Sequence, residues 1–146
     1  MSTMSVLIAT AENEIFRGEA SKLIAYSVEG ELAIIPGHAP LLATLRPGEL
    51  RIDCQLEGGR ENCKTDIVVF GGFLEVQPDS VIVLADAIER AKDIDIVQAK
   101  RAVEKAKQQL TSHDKSTSAK AMFALEVAIA KLRVARRNSK QSLLKP

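Results

Sequence analysis

Aromatic side chains are almost missing from this sequence: four Phe, one Tyr and no Trp make up 3% of its 146 residues. That scarcity removes the stacking platforms used by single-stranded nucleic-acid binders and predicts an aliphatic core. Long apolar runs are missing too. No window approaches the ~20 consecutive apolar residues of a membrane-spanning helix, and residues 1–8 lack the basic start and apolar stretch of a signal peptide. A soluble, cytosolic protein is expected, although a peripheral subunit of a membrane complex would look the same. Histidine is rare as well. His38 and His113 fall in different halves, and neither has a spaced partner suggesting zinc. There is no Ser-His-Asp motif context and no phosphate-binding loop, so nothing converges on a reaction. Gly71-Gly72 in the stretch Phe70-Gly-Gly-Phe73 reads as a bulge or a close backbone approach.

Only two cysteines are present. Glu57-Gly58-Gly59-Arg60 suits a two-residue type I′ hairpin loop, since paired glycines accept positive φ. That register sets Cys54 opposite Cys63, about 4.5 Å apart at Cα if the pair is non-hydrogen-bonded. Two reduced thiols are the expectation for a cytosolic protein, with a cross-strand disulfide as the alternative.

Glycine and proline are absent from most of the second half. All eight glycines lie at or before Gly72, and of five prolines only Pro146 lies beyond Pro78. Charge divides at the same place. Over residues 1–86, 6 Lys and Arg stand against 13 Asp and Glu (net −7); over residues 87–146, 14 stand against 6 (net +8). Two domains are expected, 1–86 and 87–146.

What is present gives each half a character. Residues 5–9, 22–26, 31–35, 50–54, 65–70, 73–76 and 80–84 are rich in Val, Ile and Leu, with Gly, Pro, Asn or Asp between them. Short strands with such punctuation predict an antiparallel sandwich or barrel. In the second half Asp95 suits an N-cap, Gln98 stands where a capping box needs it, and Ile94 can staple onto Ala99. Asp93, two residues earlier, reads as part of the same helix start. Ala99, Ala102, Val103, Ala106 and Leu110 keep helical spacing. Residues 111–118 read as a polar break, with Ser116 to Ser118 as N-cap candidates. A second stripe follows: Ala121, Met122, Leu125, Ala128, Ile129, Leu132 and Ala135. Alanine-rich stripes allow close antiparallel packing of a two-helix hairpin but bury little area, so a weakly held hairpin is expected.

The segment Glu31-Leu-Ala-Ile-Ile-Pro-Gly-His-Ala-Pro-Leu-Leu42, preceded by Gly30, resembles the signature of the epsilon-subunit family of the F-type rotary ATP synthase. Gly71-Gly72-Phe73-Leu74-Glu75-Val76-Gln77-Pro78, Val81-Ile-Val-Leu-Ala-Asp86 and Ala91-Lys-Asp-Ile-Asp95 match further family blocks in order, and the likeness covers nearly the whole chain. The resemblance implies a mixed β-then-α fold, an N-terminal antiparallel β-sandwich followed by a C-terminal two-helix antiparallel hairpin.

It further implies a non-catalytic rotor subunit without a resident cofactor, peripheral on the cytoplasmic face of the bacterial inner membrane. Its partners would be the gamma shaft, the c-ring and the alpha and beta subunits. Glu31, Pro36, Gly37 and His38 match ring- and gamma-facing positions. The hairpin of this family inhibits ATP hydrolysis by extending toward the beta subunit. Lys131, Arg133, Arg136, Arg137, Lys140 and Lys145 follow Glu126 with no acid among them, a basic run suited to an acidic partner. Family members that bind ATP carry the motif I-D-x-x-R-A. Here Ile94, Asp95 and Ala99 keep it, Glu89 matches a nucleotide-contacting position, and Gln98 replaces the arginine. Val127 and Lys131 stand where ATP-binding members carry arginines. Weak or absent ATP binding is therefore expected. The rival readings are a basic helical module for nucleic acid, with the acidic half against it, and an enzymatic or small-molecule-binding β-domain with a dimerising hairpin.

Overall fold

Alternating apolar residues build the first half. The computed structural model describes residues 2–55, 62–111 and 115–144. Its strands are β1 (Met4–Ala9), β2 (Glu14–Ser27), β3 (Gly30–Ile34), β4 (Leu41–Leu45), β5 (Gly48–Gln55), β6 (Asn62–Val69), β7 (Gly72–Gln77), β8 (Ser80–Ala85) and β9 (Ile88–Arg90). A single turn of 3-10 helix (Ala91–Asp93) leads to α1 (Ile96–Leu110) and α2 (Lys115–Leu144). All seven predicted strands form. Two short ones, β4 and β9, and the first half of β2 were not predicted. Gly18 lies inside that unpredicted stretch, among Glu14, Arg17 and Glu19, where glycine and charge hide the alternation.

The strand order is β1-β8-β7-β4-β2-β5-β6-β9, with β3 on β2 and β1 also pairing β2. Pairings are antiparallel except β1 with β8, which is parallel. The long β2 serves both layers: residues 14–20 pair β1, and residues 20–24 pair β5. The inward sides of the two layers therefore share one aliphatic core, in which Val6, Ile8, Leu23, Ile34, Leu50, Ile52, Leu74, Val76 and Val83 are fully buried. At the start of β7, Gly72 has φ +135, and a Cβ there would lie 2.1 Å from the Leu84 carbonyl oxygen. Only glycine lets β7 come this close to β8.

The hairpin residues 56–61 lie outside the described residues, but the flanking register is the predicted one, Cys54 with Cys63 and Gln55 with Asn62. Cys54 is disulfide-bonded, which corrects the expectation of reduced thiols. Antiparallel pairing brings cross-strand Cα atoms into the range a disulfide needs, and the other cysteine of the chain stands opposite.

Asp95 caps α1, its Oδ1 accepting from the backbone of Val97 at 3.0 Å and Gln98 at 3.2 Å. Ala99, Val103 and Ala106 are the buried face of α1, which packs along α2. The start of α2 corrects the sequence reading: helix begins at Lys115, so Ser116 to Ser118 are inside it, and residues 112–114 lie outside the described residues. Ser and Thr are tolerated in a first turn, whose N–H groups have no intrahelical acceptor anyway. The buried face of α2 also differs. Ala121, Ala128 and Ala135 are buried as predicted, but so are Val127, Ala130 and Val134, while Met122 is exposed. A second buried stripe is required because α2 packs on β5, β6 and the 3-10 turn as well as on α1.

Candidate functional site

Strand periodicity places the first feature. Along β5, Leu50, Ile52 and Cys54 point into the core, so Glu49 and Arg51 occupy the outer face. On β6, Ile67 and Val69 point inward, and Asp66 and Val68 outward. The register sets Glu49 beside Val68 and Arg51 beside Asp66. α2 lies over this face: Ala130 and Val134 pack on Val68, with Phe70, Ala91 and Ile94 around them.

Next to this apolar contact Arg137 reaches down from α2. Its Nη1 donates to Glu49 Oε2 at 2.7 Å and to Asp66 Oδ2 at 3.2 Å. Arg51 Nε donates to Asp66 Oδ1 at 3.3 Å. Both carboxylate side chains are more than nine-tenths buried. The hydrogen bond to Glu49 is the main cause that holds the Arg137 pKa above its ordinary value; burial pulls the other way, and the charges of Glu49 and Asp66 add to the rise.

A second pairing lies one and a half turns earlier on α2. Lys131 Nζ is 2.8 Å from Glu89 Oε2 and 5.2 Å from the centroid of the Phe70 ring. Of the basic residues singled out in the sequence, Lys131 and Arg137 thus face the sandwich, whereas Arg133 and Arg136 are exposed. The side chains of Lys140 and Lys145 lie outside the described residues, as does His113.

The family's nucleotide motif maps to a cavity of about 390 Å³ between the helices and the sandwich. Glu89, Asp95, Gln98, Ala99, Val127 and Lys131 all line it. Ile94 does not; it packs on the Val68 cluster. Asp93, read from sequence as part of the helix start, lines the cavity instead. The lining holds three carboxylates against one cation, and that cation is paired with Glu89. Glu89 and Asp95 are positions the nucleotide motif shares, so the departures from it are Gln98, which supplies no charge, and Val127, which leaves Lys131 as the one cation of the lining.

The remaining sequence-predicted positions sit on the sandwich. Glu31 is exposed near the first end of β3, paired in register with Tyr26. His38 belongs to the loop leaving the other end, so about 10 Å of strand separates Glu31 from the start of that loop. Gly37 has φ +89 and donates its N–H to the Pro78 carbonyl at 2.7 Å. His38 Nδ1 is 2.7 Å from the Ala39 carbonyl oxygen, which makes that nitrogen the protonated one. Gly37 thereby ties the loop to the β7–β8 turn. Beside these positions is a patch that sequence reasoning missed. Leu42, Phe73 and Leu84 are 73%, 53% and 55% exposed, on the outward side of β4, β7 and β8, and Phe73 and Leu84 are cross-strand partners. Their outward phase follows from Gly72, Leu74 and Val76 pointing inward. The buried acids Glu49 and Asp66 were missed as well. A carboxylate in a strand reads as solvated until a helix is known to lie over it.

Residues 3–91 match the family model described as ATP synthase, Delta/Epsilon chain, beta-sandwich domain, and residues 92–136 match ATP synthase, Delta/Epsilon chain, long alpha-helix domain. A protein from Halorhodospira halophila named ATP synthase epsilon chain is 44% identical over 134 residues, spanning 91% of this chain and 92% of its own. One of the same name from Acidithiobacillus ferridurans is 41% identical over 144 residues, spanning 98% of both. Among solved structures, a chain of the Euglena gracilis mitochondrial ATP synthase shares the fold, with a TM-score of 0.77 at 23% identity over 92% of this chain and 82% of that one.

Proposed function

The chain belongs to the ATP synthase delta/epsilon family, as an epsilon chain of the F-type enzyme, and from that premise we propose that it is a non-catalytic rotor subunit that couples proton flow to ATP synthesis and restrains ATP hydrolysis. The sandwich docks on the gamma shaft and the c-ring. The exposed Leu42–Phe73–Leu84 patch is the apolar surface that supports this reading, with Glu31 at one end of β3 and Pro36, Gly37 and His38 at the other as the polar contacts. The helical hairpin is the regulatory part. No helix among the described residues is long and apolar enough to cross a membrane, and the reading is of a peripheral subunit on the cytoplasmic face of the bacterial inner membrane.

One observation carries the regulatory half: Arg137 is held by two carboxylates of the chain's own sandwich. A guanidinium seated on acids here is suited to an acidic surface of the beta subunit once the hairpin lifts, together with Arg133, Arg136 and Lys140. The sandwich and the partner then compete for one cation, and the difference between two such pairings is small enough to be shifted by the state of the complex. The same preference for carboxylates speaks against nucleic acid. ATP is not a regulatory ligand of consequence in this reading, given Gln98 in place of the motif's arginine and Lys131 as the one cation of the lining, itself paired with Glu89.

The test is add-back to a catalytic complex lacking this subunit. The full chain is expected to bind and to slow ATP hydrolysis. A double variant, Arg133→Ala with Arg136→Ala, is expected to bind equally but inhibit several-fold less. Binding without inhibition by either protein would reduce the chain to a coupling element, and absence of binding would refute the docking role.

A further inference from the structure

A cavity of about 410 Å³ opens where β1, β2 and β6 meet the turn after β9, with Asn138 of α2 on its rim; of the residues in the proposed contacts only Asp66 lines it. Its origin is geometric. β9 pairs only with Ile67, Val68 and Val69, so residues 64–66 of β6 run on past the end of their neighbour. On the facing wall the β1–β2 register shifts between Ile8 and Ala9. Phe16 lies back along its strand over Gly18, whose missing Cβ would stand 3.1 Å from the ring. Arg90 fixes the rim by donating from Nη2 to the Ile15 carbonyl at 3.2 Å.

The lining has two parts. Ile15, Phe16 and Ile67 belong to an apolar wall, while Lys64, Arg90 and Lys92 stand around the opening. Among the described residues none of these three cations has an ion-pair partner, and the one carboxylate present, Asp66, is taken by Arg51 and Arg137. Asp53 stands opposite Lys64 in register but outside the lining, and an apolar pocket rimmed by three cations is complementary to a ligand with an acyl chain and one anionic head. We infer that this cavity binds a single-chain fatty carboxylate, its chain against Ile15, Phe16 and Ile67 and its head among Lys64, Arg90 and Lys92. This site does not rest on the rotor reading, although Asp66 is shared with the hairpin contact.

The experiment uses the full chain, ¹⁵N-labelled, titrated with dodecanoate below its micelle concentration and followed by NMR and calorimetry. Saturable binding is expected, with shifts confined to residues around Phe16, Thr65 and Ala91. Dodecanol, which lacks the charge, is expected to bind about tenfold more weakly. Lys64→Gln with Lys92→Gln, two exposed positions, should raise the Kd about tenfold and leave the melting temperature unchanged. No saturable binding, equal binding of dodecanol, or shifts centred on Leu42, Phe73 and Leu84 would each overturn the assignment. Binding to phosphatidylglycerol vesicles without binding to dodecanoate would overturn it also, making the cations a membrane contact.

Discussion

Arg137 and Glu49 are 88 residues apart in the chain and 2.7 Å apart in the structure. Their pairing joins a basic helix to an acidic sandwich at one buried point. Replacing Arg137 by Met keeps most of the stem's packing but leaves Glu49 buried without its donor. An orphaned carboxylate of this kind costs about 2 kcal/mol, or about 4–8 °C in melting temperature for a chain of this length. Asp66 suffers less, because Arg51 still donates to it. Thermal unfolding measures the loss, and hydrogen exchange should place it in α2 and in β5.

Changing both partners distinguishes desolvation from attraction. Glu49→Leu with Arg137→Leu removes the buried charge along with its counter-ion, and is expected to be more stable than Arg137→Leu alone. A double variant no better than the single one would mean that the pairing contributes little. In the full complex the double variant also lacks one of the cations proposed to act in inhibition, so stability and inhibition should separate.

Alkaline pH should leave the pairing intact. A cation whose pKa is raised on folding contributes its stability at every pH below its ordinary value, and loses it only as pH climbs through the raised one. For Arg137, raised above an already very basic value chiefly by Glu49, that window lies far above the working range. The melting-temperature deficit of Arg137→Met is therefore expected to be constant from about pH 7 to about pH 9. A deficit that shrinks over this range would mean that a group other than Arg137 controls the contact.

Much of this architecture was legible in advance, for reasons that individual residues make plain. Period-2 runs such as those around Val6 and Val83 announce strands, and Asp95 before a helical stripe announces a cap. The Cys54–Cys63 register was readable from Gly58-Gly59, because a two-residue loop, if read there, predicts every pair above it. β4 and β9 escaped because Pro40 and Pro47 flank the one and the other has only three residues. The site was less legible. Ion pairs between Arg137, Glu49 and Asp66, or between Lys131 and Glu89, depend on how the hairpin is laid over the sandwich. No local pattern encodes that placement. Val127, Ala130 and Val134 were missed for the same reason, since a helix buried on two sides has no single stripe.

Two glycines separate backbone strain from steric exclusion. Gly72→Ala would place a Cβ 2.1 Å from a backbone oxygen at φ +135, and backbone cannot step aside as a flexible side chain does. Loss of soluble protein, or destabilisation beyond about 3 kcal/mol, is expected. Gly37→Ala at φ +89 meets nothing within 4 Å. Only the left-handed strain remains, about 1–2 kcal/mol, so the protein should fold with a modestly lower melting temperature.

The cavity beside Gln98 offers the sharpest test of how far local sequence predicts a ligand. Gln98→Arg restores the family's nucleotide motif letter for letter. Charge counting argues that it does not restore the site. Besides the motif's own Asp95 and the contact position Glu89, the wall holds Asp93, which competes for the new guanidinium as a pairing partner, and Val127, which supplies no second cation. A polyphosphate would have to displace that pairing and still meet the remaining carboxylates. Calorimetry of Gln98→Arg with ATP is therefore expected to show affinity no tighter than about 1 mM, a binding free energy near −4 kcal/mol. Adding Asp93→Asn to the same variant, the one acid of the wall outside the motif and contact positions, should tighten it several-fold by removing a repelling charge. Micromolar binding by Gln98→Arg alone would mean that the arginine outweighs the acids, and that the cavity is a nucleotide site lacking a single side chain.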